Sequence, residues 1–217
     1  MALDVRNQGN QRGGTLDGTA TYLQTDQTKN LLVAQGGAPY TEMARAGGIW
    51  NVISAAAAPL VAKPTTVALL EIYNNTNSGM EMEVLDLFLF HLLGTAALHN
   101  IGVWAQVTAP KAAPSTGSLV IASQSGRGIY TDTAATRVIT GVGTTVIATG
   151  WRPFGTPGSG VISTALPGEA FSVNVDGKLL VPAGCSLCLS ATDALATASS
   201  IQIGAAWNER VGVVALT

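Results

Sequence analysis

The chain has 217 residues, of which 47% are apolar and only 11% charged, with a net charge of −2. An ordinary domain carries about 25% charged residues, so a surface this poor in charge points to burial against further copies or another protein. There is no Lys/Arg run, and Arg6 and Arg12 are offset by Asp4 and Asp17, which argues against direct packaging of nucleic acid.

Residues 1–40 are polar and Gly-rich, and only Leu31, Leu32 and Val33 offer an apolar anchor. This composition reads as an extended N-terminal arm, distinct from a β-sandwich domain over residues 41–217. The start MALDVRNQGNQRGG lacks the apolar stretch of a secretory signal. The apolar run Val84–Leu93 is broken by Asp86 and His91 and is too short to cross a bilayer. Synthesis in a cytoplasm, with no membrane partner, is the expectation. Asn74-Asn75-Thr76 fits the glycosylation pattern, but without a signal sequence the match reads as chance.

TEMARAGG, residues 41–48, reads as a short helical turn stopped by Gly47 and Gly48. Apolar runs of five to ten residues then follow one another, bounded by Gly, Pro, Asn and Ser. They include GIWNVIS, TTVALLEIYNN, MEMEVLDLFLFHLL, AALHNIGVWAQV, GSLVIASQS, TTVIATGW, EAFSVNV, KLLVPA, CSLCLSAT and SIQIGAAWNE. Evenly spaced short strands of this kind predict an all-β sandwich or barrel. AAAAPL at 55–60 reads as loop because of Pro59, and Thr108–Ser118 and Arg152–Gly160 as long surface connections.

Strict alternation through EMEVLDLFLF sends Met82, Val84, Asp86, Phe88 and Phe90 to one face, and Glu81, Glu83, Leu85, Leu87 and Leu89 to the other. Both faces turn apolar after Glu83, so this strand is expected to be covered on both sides. Leu85, Leu87, Phe88, Leu89 and Phe90 are therefore candidate interface residues, together with Leu31, Leu32 and Val33 of the arm. Further on, Asp176-Gly177 between two apolar runs predicts a hairpin through a type I′ turn.

Few residues suggest chemistry. Cys185 and Cys188 are the only two cysteines. Their C-x-x-C spacing lies in an alternating strand pattern, where positions i and i+3 face opposite sides, so they can neither form a disulfide nor share one metal. Two buried, structural thiols are expected. His91 and His99 bracket LLGTAAL without a third ligand at a convincing spacing, and a packed histidine is the default reading. Glu81 and Glu83 read as a solvated strand end. Gly126-Arg127-Gly128 and Gly141-Val142-Gly143 lack the strand-to-helix setting of a phosphate loop. Trp50, Trp104, Trp151 and Trp207 are scattered and read as packing residues. No catalytic residue, metal site or cofactor is expected, and the chain does not read as an enzyme.

The C-terminal third carries a more specific pattern. Leu166-Pro167-Gly168-Glu169 leads into FSVNVDGKLLVPAGCSLCLSATDA and then SIQIGAAWNER, with Trp207 and Glu209 in the last strand. This resembles the C-terminal half of jelly-roll proteins from tailed-phage virions, in which a Pro-x-Gly step, here Val181-Pro182-Ala183-Gly184, takes the chain from one sheet to the other. The match is sharp over about residues 166–210 and loose over 60–210. The resemblance implies a jelly-roll β-sandwich with an extended N-terminal arm, acting as a decoration or cement protein on the capsid surface of a virion. It implies a homotrimer with the major capsid protein as partner. An arm of about 40 residues reaches on the order of 130 Å when extended, enough to bridge capsomers. Two alternatives remain open: a jelly-roll coat protein, and a head or tail fibre module that binds a receptor or glycan through Trp151 and Tyr130.

Overall fold

β-Branched and aromatic runs cut by Gly and Pro become antiparallel sheet, with almost no helix. The computed structural model describes residues 40–45, 47–93, 98–99, 102–114, 119, 121–123, 138–141, 149–154, 160–161, 170–193 and 199–211. Apart from Tyr40 and Thr41 these belong to one compact unit, Glu42–Thr217. The arm with Leu31, Leu32 and Val33 lies outside the described residues, as does Tyr130.

The one helix described, α1 (Thr41–Arg45), ends as its glycines require. Gly47 takes φ 75°, and the Gly47 and Gly48 amides donate to the carbonyls of Ala44 and Met43. A left-handed residue closing a helix in this way is where glycine loses least.

The strands are β1 (Ile49–Ile53), β2 (Leu70–Asn74), β3 (Met80–Leu93), β4 (Leu98–His99), β5 (Gly102–Val107), β6 (Ala122–Ser123), β7 (Val138–Gly141), β8 (Arg152–Pro153), β9 (Gly160–Val161), β10 (Ala170–Asn174), β11 (Leu180–Val181), β12 (Ser186–Thr192) and β13 (Ser200–Val211). One sheet has six strands in the order β10-β3-β13-β1-β6, with β11 also on β3. A second has five, in the order β7-β2-β12-β5-β8, and β4 pairs with β9 alone. Every pairing between these strands is antiparallel. Inward residues of both sheets, among them Val52, Leu70, Ile72, Leu87, Leu187, Ile201, Ile203 and Trp207, form one hydrophobic cluster. Each fully buried aliphatic side chain contributes roughly 1.5–3 kcal/mol, so this cluster is the main stabilising element.

Two sequence expectations change here. Strict alternation along β3 fails at Leu85. Trp207 lies opposite Val84 and Ala206 opposite Asp86, so Leu85 is an extra residue, a β-bulge. The bulge shifts the phase by one. Met82 and Val84 share the core with Leu87 and Leu89, and Phe88 and Phe90 fall on the opposite, outward face. The expected hairpin is the second change. Asp176 and Gly177 do take positive φ, 48° and 72°, and the Lys178 amide closes the turn onto Val175. Yet β10 and β11 do not pair with each other. β10 runs along Phe90 to Asp86, and β11 resumes in the same direction along Glu83 and Met82. The turn is an excursion in one edge strand, anchored on the bulge by the Val175 and Asp176 amides, which both donate to the Leu85 carbonyl.

Two connections join the sheets. Pro182–Cys185 carries the chain from β11 to β12; Gly184, at φ 81°, donates to the Asn74 carbonyl, and the Cys185 amide to that of Pro182. After β1, Ser54 and Ala57 stay bonded to β13, and Leu60 then bonds to Ala191 and Asp193 at the end of β12. The stretch 54–60 is therefore a strap along the sandwich edge rather than a helix.

Candidate functional site

The outward face of the six-stranded sheet comes first, because the candidate interface residues of β3 divide there. Leu87 and Leu89 are fully enclosed in the core, and Leu85 is buried at the bulge. Of the five, only Phe88 and Phe90 look outward, both half-buried. Their neighbours in register are small or polar: Ala170 and Ser172 on β10, and Gln202 and Gly204 on β13. The Phe88 ring lies where a side chain at Gly204 would stand, beside the Val52 carbonyl. Gly204 thus lets an aromatic ring lie flat on the sheet, the way aromatic residues compensate strand glycines. Ile53 adds exposed apolar surface, 42% accessible, directly opposite Gly204 from β1. Asp86 stands at the bulge end of this face. Burial, and then the neighbouring Asp176 charge, push its carboxyl above the ordinary value.

The outward face of the five-stranded sheet is built in the opposite sense. Its residues Glu71, Tyr73, Gln106, Ser186, Cys188 and Ser190 are polar or small, yet all are buried. Three connections cover them. Trp151 packs with Ala68 and Cys188, and its indole donates to the Thr65 carbonyl at 2.9 Å. Gly150 lies directly against the Gln106 side chain, which a Cβ at this position would push aside. Residues 108–111 are pinned across the sheet end. Thr108 and Ser186 exchange bonds, the Lys111 amide donates to the Gly184 carbonyl, and Tyr73 Oη donates to the Lys111 carbonyl. Lys111 Nζ turns inward to form an ion pair with Glu71 Oε1, which also accepts from Ser186 Oγ at 2.6 Å. This buried pair was not foreseen from the sequence. The available signal was one carboxylate inside the apolar run ALLEIY and one lone lysine in APKAAP.

The cysteines follow the alternation. Cys185 points into the core and Cys188 into the outer cluster under Trp151, and both are free and buried. Burial first, then the Glu71 charge opposite, push the Cys188 thiol up to about 12, with Lys111 opposing in part. Burial also raises Cys185. Neither is a ready thiolate nucleophile.

A buried Ser/His/Asp trio, also unforeseen, closes the end of the sandwich. His91 Nε2 lies 2.9 Å from Ser199 Oγ, which donates to Asp193 Oδ2 at 2.5 Å. The hydroxyl's single proton goes to Asp193, so His91 Nε2 carries a proton and donates. A nucleophilic triad needs the imidazole between serine and carboxylate, accepting the serine proton. Here the serine stands in the middle and its proton goes directly to the Asp193 carboxylate, so the order differs from that of the triad, and the trio ties the end of β3 to the residues that follow β12 and precede β13. His91 is thus a buried, packed histidine with a side-chain partner. The side chain of His99 lies outside the described residues.

The other candidates resolve simply. Trp50, Trp151 and Trp207 are buried and Trp104 packs beside Cys188, with its indole donating to Thr192 Oγ1 at 3.0 Å. Trp151 is therefore not exposed for stacking on a sugar. Asn74 spends its amide on the Met80 and Val181 carbonyls inside the fold. Glu83 is half-buried, with its side chain against Gly177. Gly126-Arg127-Gly128 lies outside the described residues, and Gly141 ends β7. Among the described residues no group of three or more His, Cys, Asp or Glu side chains is arranged to hold a metal, and no helix is long and apolar enough to cross a membrane.

No protein family, no curated protein and no solved structure matches the chain.

Proposed function

We propose that the protein is a jelly-roll structural protein of a virion, a decoration or cement protein that stabilises a capsid by bridging its subunits. The observation that carries this reading is the strand order. Take β1, β2, β3, β5, β8, β10, β12 and β13 as eight successive strands. The first sheet then contains the first, eighth, third and sixth as neighbours, and the second contains the second, seventh, fourth and fifth. Folding an eight-stranded double Greek key into two sheets gives this order, an architecture common in viral shells. The Pro182–Gly184 crossover between sheets supports the same reading.

A fold alone does not name a function. The step to a virion role rests on the low charge, the resemblance over residues 166–210, and the apolar outward residues Phe88, Phe90 and Ile53 on a sheet face. The burial of Trp151 weighs against the glycan-binding alternative.

The test is reconstitution. Purified protein is added to capsids of its own phage prepared without it, and binding and capsid melting are measured. Saturable binding with a raised melting temperature is expected, and light scattering of the free protein should return the mass of a trimer. Absence of binding together with unchanged capsid melting overturns the cement reading. Closed shells formed by this chain alone would transfer the assignment to a coat protein.

A further inference from the structure

We propose that β10 is a docking edge for the β10 of a second copy of this chain, the two strands pairing antiparallel about Ser172 so that two six-stranded sheets join into one. The inference stands apart from the virion reading and does not rest on it.

β10 is the outermost strand of its sheet and pairs with β3 alone. Two sets of bonds fix which way its backbone faces. The Val175 amide donates to the Leu85 carbonyl, so in the register of Val173 with Leu87 the residues that bond to β3 are Phe171 and Val173. From the far side of the sheet, the Ser54 amide donates to the Ile203 carbonyl and the Ile203 amide to Ser54 Oγ. Ile203 therefore bonds toward β1, and its neighbour Gly204 toward Phe88 on β3. Phe88 then spends its backbone on β13, and Ser172 opposite it is left facing out. Both routes put the N–H and C=O groups of Ala170, Ser172 and Asn174 on the free edge. No described residue bonds to them there, and all three residues are exposed.

Open edges are ordinarily guarded by a charge, a proline or a bulge. β8, an edge of the other sheet, carries Arg152 and Pro153. β10 reads Ala-Phe-Ser-Val-Asn and has no such guard. Its sequence selects its own copy as the occupant. Turned about Ser172, Ala170 faces Asn174 of the second copy, and each free amide meets a free carbonyl. Ser172 faces its own counterpart, hydroxyl to hydroxyl. On the inner side Phe171 faces Val173 of the second copy, an aromatic against a β-branched side chain, as stabilising cross-strand pairs are built. No like charges meet. The paired stretch is only five residues long, well short of the roughly 800 Å² per partner of a standard stable interface. The contact therefore forms between copies that are concentrated or held side by side, and leaves the mass in dilute solution unchanged.

The test is oxidative cross-linking of cysteine variants of the full chain, in which Cys185 and Cys188 stay silent because they are buried. Residues opposed in a bonded antiparallel pair have Cα atoms about 5.5 Å apart, within disulfide range. Ala170 and its own counterpart stand four residues apart along the strand, about 13 Å, which is out of range. At high protein concentration Ser172→Cys is expected to give a covalent dimer. Ala170→Cys and Asn174→Cys should each give none alone, and an equimolar mixture of the two should give the dimer again. Failure of Ser172→Cys to cross-link up to the solubility limit, or equal cross-linking of all three single variants, overturns the proposal.

Discussion

The two outward sheet faces make an instructive pair. On the six-stranded sheet the outward residues of β3 include Phe88 and Phe90, and they are only half covered. On the five-stranded sheet they are Glu71, Gln106, Ser186 and Ser190, and they are sealed. The usual pattern would put polar residues in water and apolar ones under cover. Its reversal shows that strand composition alone does not decide which face is buried; the connections do. The loops around Pro64–Ala68, Thr108–Lys111 and Gly150–Trp151 all fall on one sheet. Each polar group they enclose then needs a partner, and the Lys111–Glu71 pair is the most demanding case.

Substitutions separate the two faces, beginning with the largest effect. Leu87→Ala empties a fully enclosed core position and should cost about 2–5 kcal/mol in chemical denaturation. Phe88→Ala, one residue away on the open face, should cost clearly less, and equal losses would contradict the assigned phase of β3. Lys111→Met leaves the Glu71 carboxylate buried without its counter-charge and should cost roughly 3 kcal/mol, at the low end for a broken buried pair because Lys111 keeps 22% exposure. A near-neutral result would mean that the sealed face tolerates an isolated charge. Glu71→Gln combined with Lys111→Met should recover part of that loss.

Titration gives smaller effects. The Cys188 thiol ionises at about 12 in the folded chain, against an ordinary value of 9.0. Its protonated form favours the fold, so this contribution is complete below pH 9 and is lost as pH rises from 9 towards 12. Neither thiol should react with a disulfide reagent in the native protein at pH 8, and both should react once it is unfolded. Rapid native labelling at residue 188 would show that the Trp151 cover opens. The raised value at Asp86 has the same sign: its protonated form favours the fold, and ionisation at neutral pH works against it. Asp86→Asn should therefore raise Tm modestly at pH 7, with the gain fading as the pH falls towards 3.8 and absent below it, where the carboxyl is protonated in the folded and the unfolded chain alike. A gain that persists in acid would point to packing instead of charge.

How much of this was legible depends on the range of the interaction. β12 could be read residue by residue, because an unbroken strand obeys a period of two and places Cys185 and Cys188 on opposite sides. β3 could not. Its bulge is set by pairing with Trp207 and Ala206, far along the chain, and nothing local marks Leu85. Asp176-Gly177 announced its dihedral angles but not its pairing, since turn residues fix local geometry and leave open which strand the chain meets next. The Glu71–Lys111 pair and the His91–Ser199–Asp193 clasp each join separate elements and leave no local periodicity to detect.

The place of β13 has a consequence for how the domain is made. It lies between β3 and β1, with Trp50 opposite Trp207, so the earliest and the latest strands described are neighbours. Contacts so distant along the chain close slowly. Until β13 docks, β3 and β1 each present a bare edge, and the β13 of another copy fits there as well as the chain's own. Protein concentration during refolding therefore sets the balance between self-closure and strand exchange.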